Sequence, residues 1–113
     1  MILLINIAFI LALPAVAMAA PKPAERPLSA AAAQGRMVAQ IRCASCHAIV
    51  PDRASPNPQA PTFPELAGRF GEHSLQQKLT EIEETGHFYM PPQRVSSADV
   101  ANLVAYFNTL PQP

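Results

Sequence analysis

Residues 43–47 read Cys-Ala-Ser-Cys-His, and the types and spacing of these residues indicate one kind of chemistry. In a helical segment, positions three apart lie on one face, so both thiols could reach the two vinyl groups on one edge of a porphyrin. His47 follows directly, and its imidazole can bind the iron as the proximal ligand. Cys-x-x-Cys-His is the attachment signature of a c-type haem. The motif therefore predicts one covalent haem c held by Cys43, Cys46 and His47.

A disulfide or a reactive thiol pair is the alternative for the two cysteines, since an exported chain with two cysteines normally forms one disulfide. A thioredoxin-like redox pair would follow a strand, and no strand pattern precedes this motif. Zinc would need two more ligands at suitable spacing, and the chain has no other cysteine. Haem attachment accounts for the motif better than either alternative.

The first twenty residues are apolar apart from Asn6. Pro14 interrupts the run, and small residues of the A-x-A kind end it, which predicts a secretory signal over residues 1–19 with cleavage after Ala19. An uncleaved membrane anchor is the alternative, because twenty residues can span a bilayer and no Lys or Arg precedes the run. Either interpretation predicts an exported, periplasmic protein, and only the second gives it a membrane contact.

The remaining chain is predicted to form a proline-rich arm over residues 20–28 and one small domain over residues 29–113. Eight basic and eight acidic side chains cancel, and no basic cluster occurs, which excludes nucleic acid as a partner. A domain of this size has a marginal core by itself, and a large flat cofactor would add apolar contacts.

Apolar residues recur with helical spacing, and nothing alternates with a period of two, so we predict an all-α fold. A first helix follows Ser29, and its expected core-facing stripe consists of Gln34, Met37, Val38 and Ile41. A last helix has Ser96-x-x-Asp99 as its cap. Its stripe consists of Val100, Leu103, Val104, Phe107 and Leu110.

The middle of the chain is less regular. Five prolines between Pro51 and Pro64 predict a loop, because proline fixes its dihedral and lacks an amide hydrogen. Residues 65–70 allow a short helical turn. Ser74-x-x-Gln77 has the form of a capping box and predicts another helix, which Gly86 ends. The apolar stripe of that helix consists of Leu75, Leu79 and Ile82.

A second iron ligand is expected on the other haem face, and Met90 is the strongest candidate. It stands in a loop between two helices, just before Pro91-Pro92, which stiffens the backbone that would present the sulfur. His87 is three residues away and competes for the same position, whereas His73 begins a helix and is expected to be solvated. His–Met ligation fills both axial sites and raises the reduction potential, which favours electron transfer over dioxygen or peroxide chemistry.

With these motifs the chain resembles the small soluble class I c-type cytochromes with a single haem, over about residues 35–110. The resemblance implies N- and C-terminal helices that cross around one covalently bound haem, with Gly35 against Leu103 and Tyr106. It also implies that a proline carbonyl accepts the Nδ1–H of His47. Two prolines match that role equally, namely Pro61 and Pro64. With no Trp in the chain, the residues expected to contact the haem propionates are Arg69, Arg94, Tyr89 or backbone groups.

The predicted function is an exported one-electron carrier between larger redox proteins, with no small-molecule substrate and no catalytic residue. Two alternatives remain: an electron-accepting haem subunit of a dehydrogenase or oxidase, and a ligand-binding haem protein in which Met90 dissociates. The net charge of zero predicts weak electrostatic steering toward the partner.

Overall fold

The computed structural model of the chain describes residues 26–86 and 92–113. Within these ranges the chain forms no strand and four helices, which are α1 (Ala30–Arg42), α2 (Phe63–Arg69), α3 (Glu72–Thr85) and α4 (Ser97–Phe107). The prediction of an all-α fold is confirmed. The predicted export segment over residues 1–19 lies outside the described residues, as do residues 20–25 of the proline-rich arm. None of the four described helices is long and apolar enough to cross a membrane.

The first and last helices pack against each other and form the framework of the domain. Ser29 caps α1, since its hydroxyl accepts a hydrogen bond from the amide of Ala32 at 3.2 Å. The two backbones touch at Gly35, where an added Cβ would lie 1.9 Å from the carbonyl oxygen of Asn102. The same Cβ would lie 2.9 Å from the Cβ of Tyr106. The expected contact between Gly35 and Tyr106 is therefore present, and Asn102 is the nearest neighbour.

The buried side of α1 differs from the predicted stripe. Its buried residues are Ala32, Gly35 and Ala39, whereas Met37 is 57% exposed and Ile41 is 73% exposed. The close approach of the two backbones is the reason, because it leaves room for small side chains only. The prediction that Met37 and Ile41 face the core was wrong.

Helix α4 follows its prediction closely. The amide of Asp99 donates to the Ser96 hydroxyl at 3.1 Å, and the Asp99 carboxylate accepts from the amide of Ser96 at 3.0 Å, so the capping box is formed in both directions. The helix ends at Phe107, and a closing turn follows in which the amide of Leu110 donates to the Phe107 carbonyl at 3.0 Å. All five predicted stripe residues are buried, namely Val100, Leu103, Val104, Phe107 and Leu110.

The two middle helices begin at other residues than predicted. Helix α2 starts at Phe63 and tolerates Pro64, because the first turn of a helix needs no amide donor there. Helix α3 starts at Glu72 with Gly71 as its N-cap and no side-chain cap bond. The predicted capping box at Ser74 was wrong, because only Phe70 and Gly71 separate α2 from α3 and Ser74 falls inside the first turn of α3.

Substitution of Gly35 by Ala tests the backbone contact. The new Cβ would clash with the Asn102 carbonyl, so we expect a loss of about 3 kcal/mol in the free energy of unfolding. Denaturant titration of the haem-loaded protein measures it. Gly71→Ala is the matched control, since its Cβ would meet no atom within 4 Å, and it should cost less than about 1 kcal/mol. Equal losses at both glycines would contradict the contact.

Candidate haem-binding site

The Cys-x-x-Cys-His motif continues directly from α1. Cys43 is the C-cap of that helix, and its amide donates to the Ala39 carbonyl at 2.9 Å. The Cys43 carbonyl then accepts from the amide of Cys46 at 3.1 Å and from the amide of His47 at 2.9 Å. These bonds are those of a helical turn, so the motif has the local geometry that joint attachment of both sulfurs requires. Both cysteine side chains are half-buried.

His47 is buried, and its Nδ1 forms a hydrogen bond that orients the ring. Its Nδ1 lies 2.7 Å from the carbonyl oxygen of Pro61. Because a carbonyl only accepts, Nδ1 carries the proton and the lone pair remains on Nε2, the nitrogen that can bind a metal. The structure thus decides between the two predicted prolines in favour of Pro61. Pro64 lies in the first turn of α2 instead.

The loop that presents Pro61 is held to the motif by backbone bonds on both sides. The amide of Asn57 donates to the Cys46 carbonyl at 3.1 Å, and the amide of Phe63 donates to the Ala48 carbonyl at 2.9 Å. The amide of Ala48 donates in turn to the Ser55 hydroxyl at 3.0 Å. The predicted proline-rich loop is therefore an ordered support for the His47 ring.

Helix α4 supports the same region through two aromatic residues. The Tyr106 hydroxyl donates a buried hydrogen bond to the Ile49 carbonyl at 2.7 Å. Phe107 stacks on Phe63 with ring centroids 4.3 Å apart and an interplanar angle of 21°. Phe63 also lies next to His47, with centroids 5.9 Å apart. The framework helices thereby fix the position of the proposed proximal ligand.

A cavity of about 260 Å³ opens beside Cys43 and His47, which both line it. Its walls are mainly apolar and come from α2, α3, α4 and the segment before α4. The apolar wall residues are Leu66, Phe70, Leu75, Leu79, Ile82, Val95, Leu103 and Phe107. The Cys43 thiol, an imidazole with a fixed tautomer and apolar walls together fit the chemistry of a covalently attached haem, and Cys46 is not among the residues that line the cavity.

The apolar stripe of α3 lines this cavity, which its helical spacing alone does not predict. Leu75, Leu79 and Ile82 all line the cavity, whereas the periodicity alone indicated only that they form one face of a helix. Since a cofactor-facing stripe and a core-facing stripe have the same spacing, the sequence carried no signal that distinguishes them.

Three charged residues line the cavity, namely Arg69, Lys78 and Glu81. Lys78 and Glu81 form a salt bridge at 2.6 Å. Of the side chains expected at the propionates, Arg69 lines the cavity, and Arg94 is exposed and is not among the residues that line it. Tyr89 lies outside the described residues.

Burial raises the pKa of the Cys43 thiol to about 11. Disulfide exchange requires a thiolate, and redox-active Cys-x-x-Cys pairs have lowered rather than raised pKa values. The environment of Cys43 therefore disfavours the thiol–disulfide alternative.

The predicted second ligand, Met90, lies outside the described residues, as does its competitor His87. Gly86 and Gln93, which flank that segment closely, both line the cavity. Gly86 is buried with a φ of 67°, and the amide of Gln93 donates to the Ile82 carbonyl at 3.3 Å. His73 is exposed on α3, as predicted.

Comparison with known protein families identifies a relationship over most of the described helices. A family model described as cytochrome C oxidase, cbb3-type, subunit III, matches residues 30–107. The match runs from the first residue of α1 to the last residue of α4 and includes the whole motif. Comparisons with curated proteins and with solved structures found no match.

Paired substitutions test the bond between His47 and Pro61. Pro61→Ala keeps the carbonyl but removes the ring that restricts the loop, which should cost about 0.4–1 kcal/mol. We therefore expect the His47 Nδ1 proton to exchange with solvent roughly two- to fivefold faster. NMR exchange measurements on the reduced, haem-loaded protein report this rate. Pro64→Ala should leave it unchanged. Faster exchange in Pro64→Ala alone would show that the wrong carbonyl has been identified.

Proposed function

The chain belongs to the cytochrome c oxidase cbb3-type subunit III family of c-type cytochromes, and on this premise we propose that it is an exported one-electron carrier between larger redox proteins. Its cofactor is covalent haem c. The observation that carries the proposal is the position of His47, held through Nδ1 by the Pro61 carbonyl at the wall of an apolar cavity that Cys43 also lines.

Each residue of the site has one task in this proposal. When bound, the haem supplies a one-electron Fe(III)/Fe(II) couple. Cys43 and Cys46 would hold the cofactor by thioether bonds, and His47 would ligate the iron through Nε2. The Pro61 carbonyl keeps the His47 ring in one tautomer and raises the basicity of the ligating nitrogen. The apolar walls exclude water from the site.

We propose Met90 as the second axial ligand. It follows Gly86 by four residues and precedes Gln93 by three. Both of these neighbours line the cavity, and Pro91-Pro92 would stiffen the segment. The soft thioether sulfur favours Fe(II) and raises the potential.

The ligand set supports a carrier and not an enzyme. If His47 and Met90 both ligate the iron, the chain itself would supply both of its protein ligands, so dioxygen or peroxide would find no open site. Because the same two ligands would bind the iron in both oxidation states, the reorganisation energy of electron transfer would be small. No acid, base or nucleophile is needed for this function.

A second candidate function is an electron-accepting subunit of an oxidase. The observation that favours it is the description of the matching family, which names an oxidase subunit. The apolar N-terminal segment would then be retained as an anchor, in place of the cleaved signal that we propose for the carrier.

Maturation in an export-competent, haem-loading host tests the proposal. Intact mass should equal that of the polypeptide plus one haem, and the reduced pyridine haemochrome should show two saturated vinyl groups. A colourless product with two free thiols would overturn the assignment. Rapid binding of carbon monoxide by the reduced protein would indicate the ligand-binding alternative. Stable copurification with an oxidase would indicate that the chain is a subunit of that oxidase. The same mass spectrum reports whether residues 1–19 are removed.

Replacement of Met90 by Ala should retain the haem and lower the reduction potential by on the order of 100 mV, within the ~0.8 V range that axial ligands control. The weak sulfur-to-iron charge-transfer band of the oxidised protein should disappear with it. Met37→Ala is the matched control, because Met37 is exposed on α1 and is not proposed as an iron ligand. An unchanged potential in Met90→Ala together with a lowered potential in His87→Ala would assign the ligand to His87.

A further inference from the structure

The outward side of α1 carries an apolar stripe that the fold does not use. Ala30, Ala33, Met37 and Ile41 recur at intervals of three or four residues, so they share one helix face. All four are exposed, and Met37 and Ile41 are the large apolar side chains that the described part of the chain leaves most exposed. Such a stripe on a small domain marks a contact surface.

Charge is divided unequally along the chain although the total is zero. Residues 26–53 contain four arginines and a single acidic residue, Asp52, and α1 itself carries Arg36 and Arg42 with no carboxylate. Residues 65–86 contain five glutamates against Arg69 and Lys78. The net charge alone predicts weak electrostatic steering toward a partner. Separated charges nevertheless orient a molecule in the electric field of its partner.

The stripe also lies close to the point of haem attachment. Ile41 precedes Cys43 by two residues, and Cys43 lines the cavity. A partner seated on Ile41 would therefore lie near the end of α1 from which the haem-attaching segment continues.

We propose that the outer face of α1, formed by Ala30, Ala33, Met37 and Ile41, is the docking surface for a redox protein, with the exposed Arg36 and Arg42 of the same helix as its charged groups. The complementary surface is apolar at its centre and rich in carboxylates at its rim. Such a rim attracts the arginines of α1 and repels the glutamates of α3, so one orientation is selected. This inference rests on the proposed electron-carrier function.

Voltammetry of the haem-loaded protein on gold tests the surface without a natural partner. One electrode carries a mixed monolayer of carboxylate- and methyl-terminated alkanethiols, and a second carries ammonium- and methyl-terminated ones. We expect adsorption and a redox wave on the first and weaker adsorption on the second. The double variant Met37→Ser/Ile41→Ser should bind the first surface about tenfold more weakly. Arg36→Gln/Arg42→Gln should reduce the salt dependence of its binding.

The matched control is Gln76→Ser/Gln77→Ser, two exposed positions on α3 that do not line the cavity, and it should bind like the wild type. Intact mass and solution potential verify that every variant holds its haem. Preferred adsorption on the ammonium surface, or unchanged binding of Met37→Ser/Ile41→Ser, would overturn the docking surface while the electron-carrier function stands. Absence of a redox wave for the haem-loaded protein in solution would overturn the function itself.

A lipid surface is the competing occupant, and vesicles of phosphatidylcholine and phosphatidylglycerol test it. The proposal expects no sedimentation of the protein with these vesicles. Cosedimentation that Met37→Ser/Ile41→Ser abolishes would assign the stripe to a membrane and overturn the proposed protein partner.

Discussion

The contact between the backbones of α1 and α4 at Gly35 is the constraint on which the rest of the domain depends. It fixes the direction in which α1 ends, and the Cys-x-x-Cys-His motif begins at that end. It also turns Phe107 and Tyr106 of α4 toward the residues after the motif, where they stack on Phe63 and bond the Ile49 carbonyl. The haem-attaching segment is therefore positioned from two sides by helices that meet at one glycine.

The second requirement is a wall for the cofactor, and the chain provides it with few residues. Helix α3 has one apolar face, and Leu75, Leu79 and Ile82 on that face line the cavity. Its outer face is rich in glutamate. In a domain of this size, apolar contact with a bound porphyrin adds to a core that the polypeptide alone makes small. The cofactor is thus a structural component as well as the redox centre.

The sequence predicted those features that depend on local chemistry. The motif at residues 43–47, the capping box at Ser96 and the stripe of α4 follow from spacing along the chain, and the structure has the cap and the stripe where they were expected. The predicted core-facing stripe of α1 was wrong because it was assigned to the large apolar residues of the helix. The backbone contact at Gly35 buries small residues instead. The choice between Pro61 and Pro64 depended on the path of the loop through space, which spacing does not encode.

The residues of the site form two groups along the chain, those that attach the cofactor and those that form most of the cavity wall. Cys43, Cys46, His47 and the supporting Pro61 all precede α3, which contributes much of the cavity wall. During synthesis, the segment that accepts the porphyrin emerges before the helix that covers it. Chain order therefore allows the cofactor to be joined before α3 and α4 pack around it.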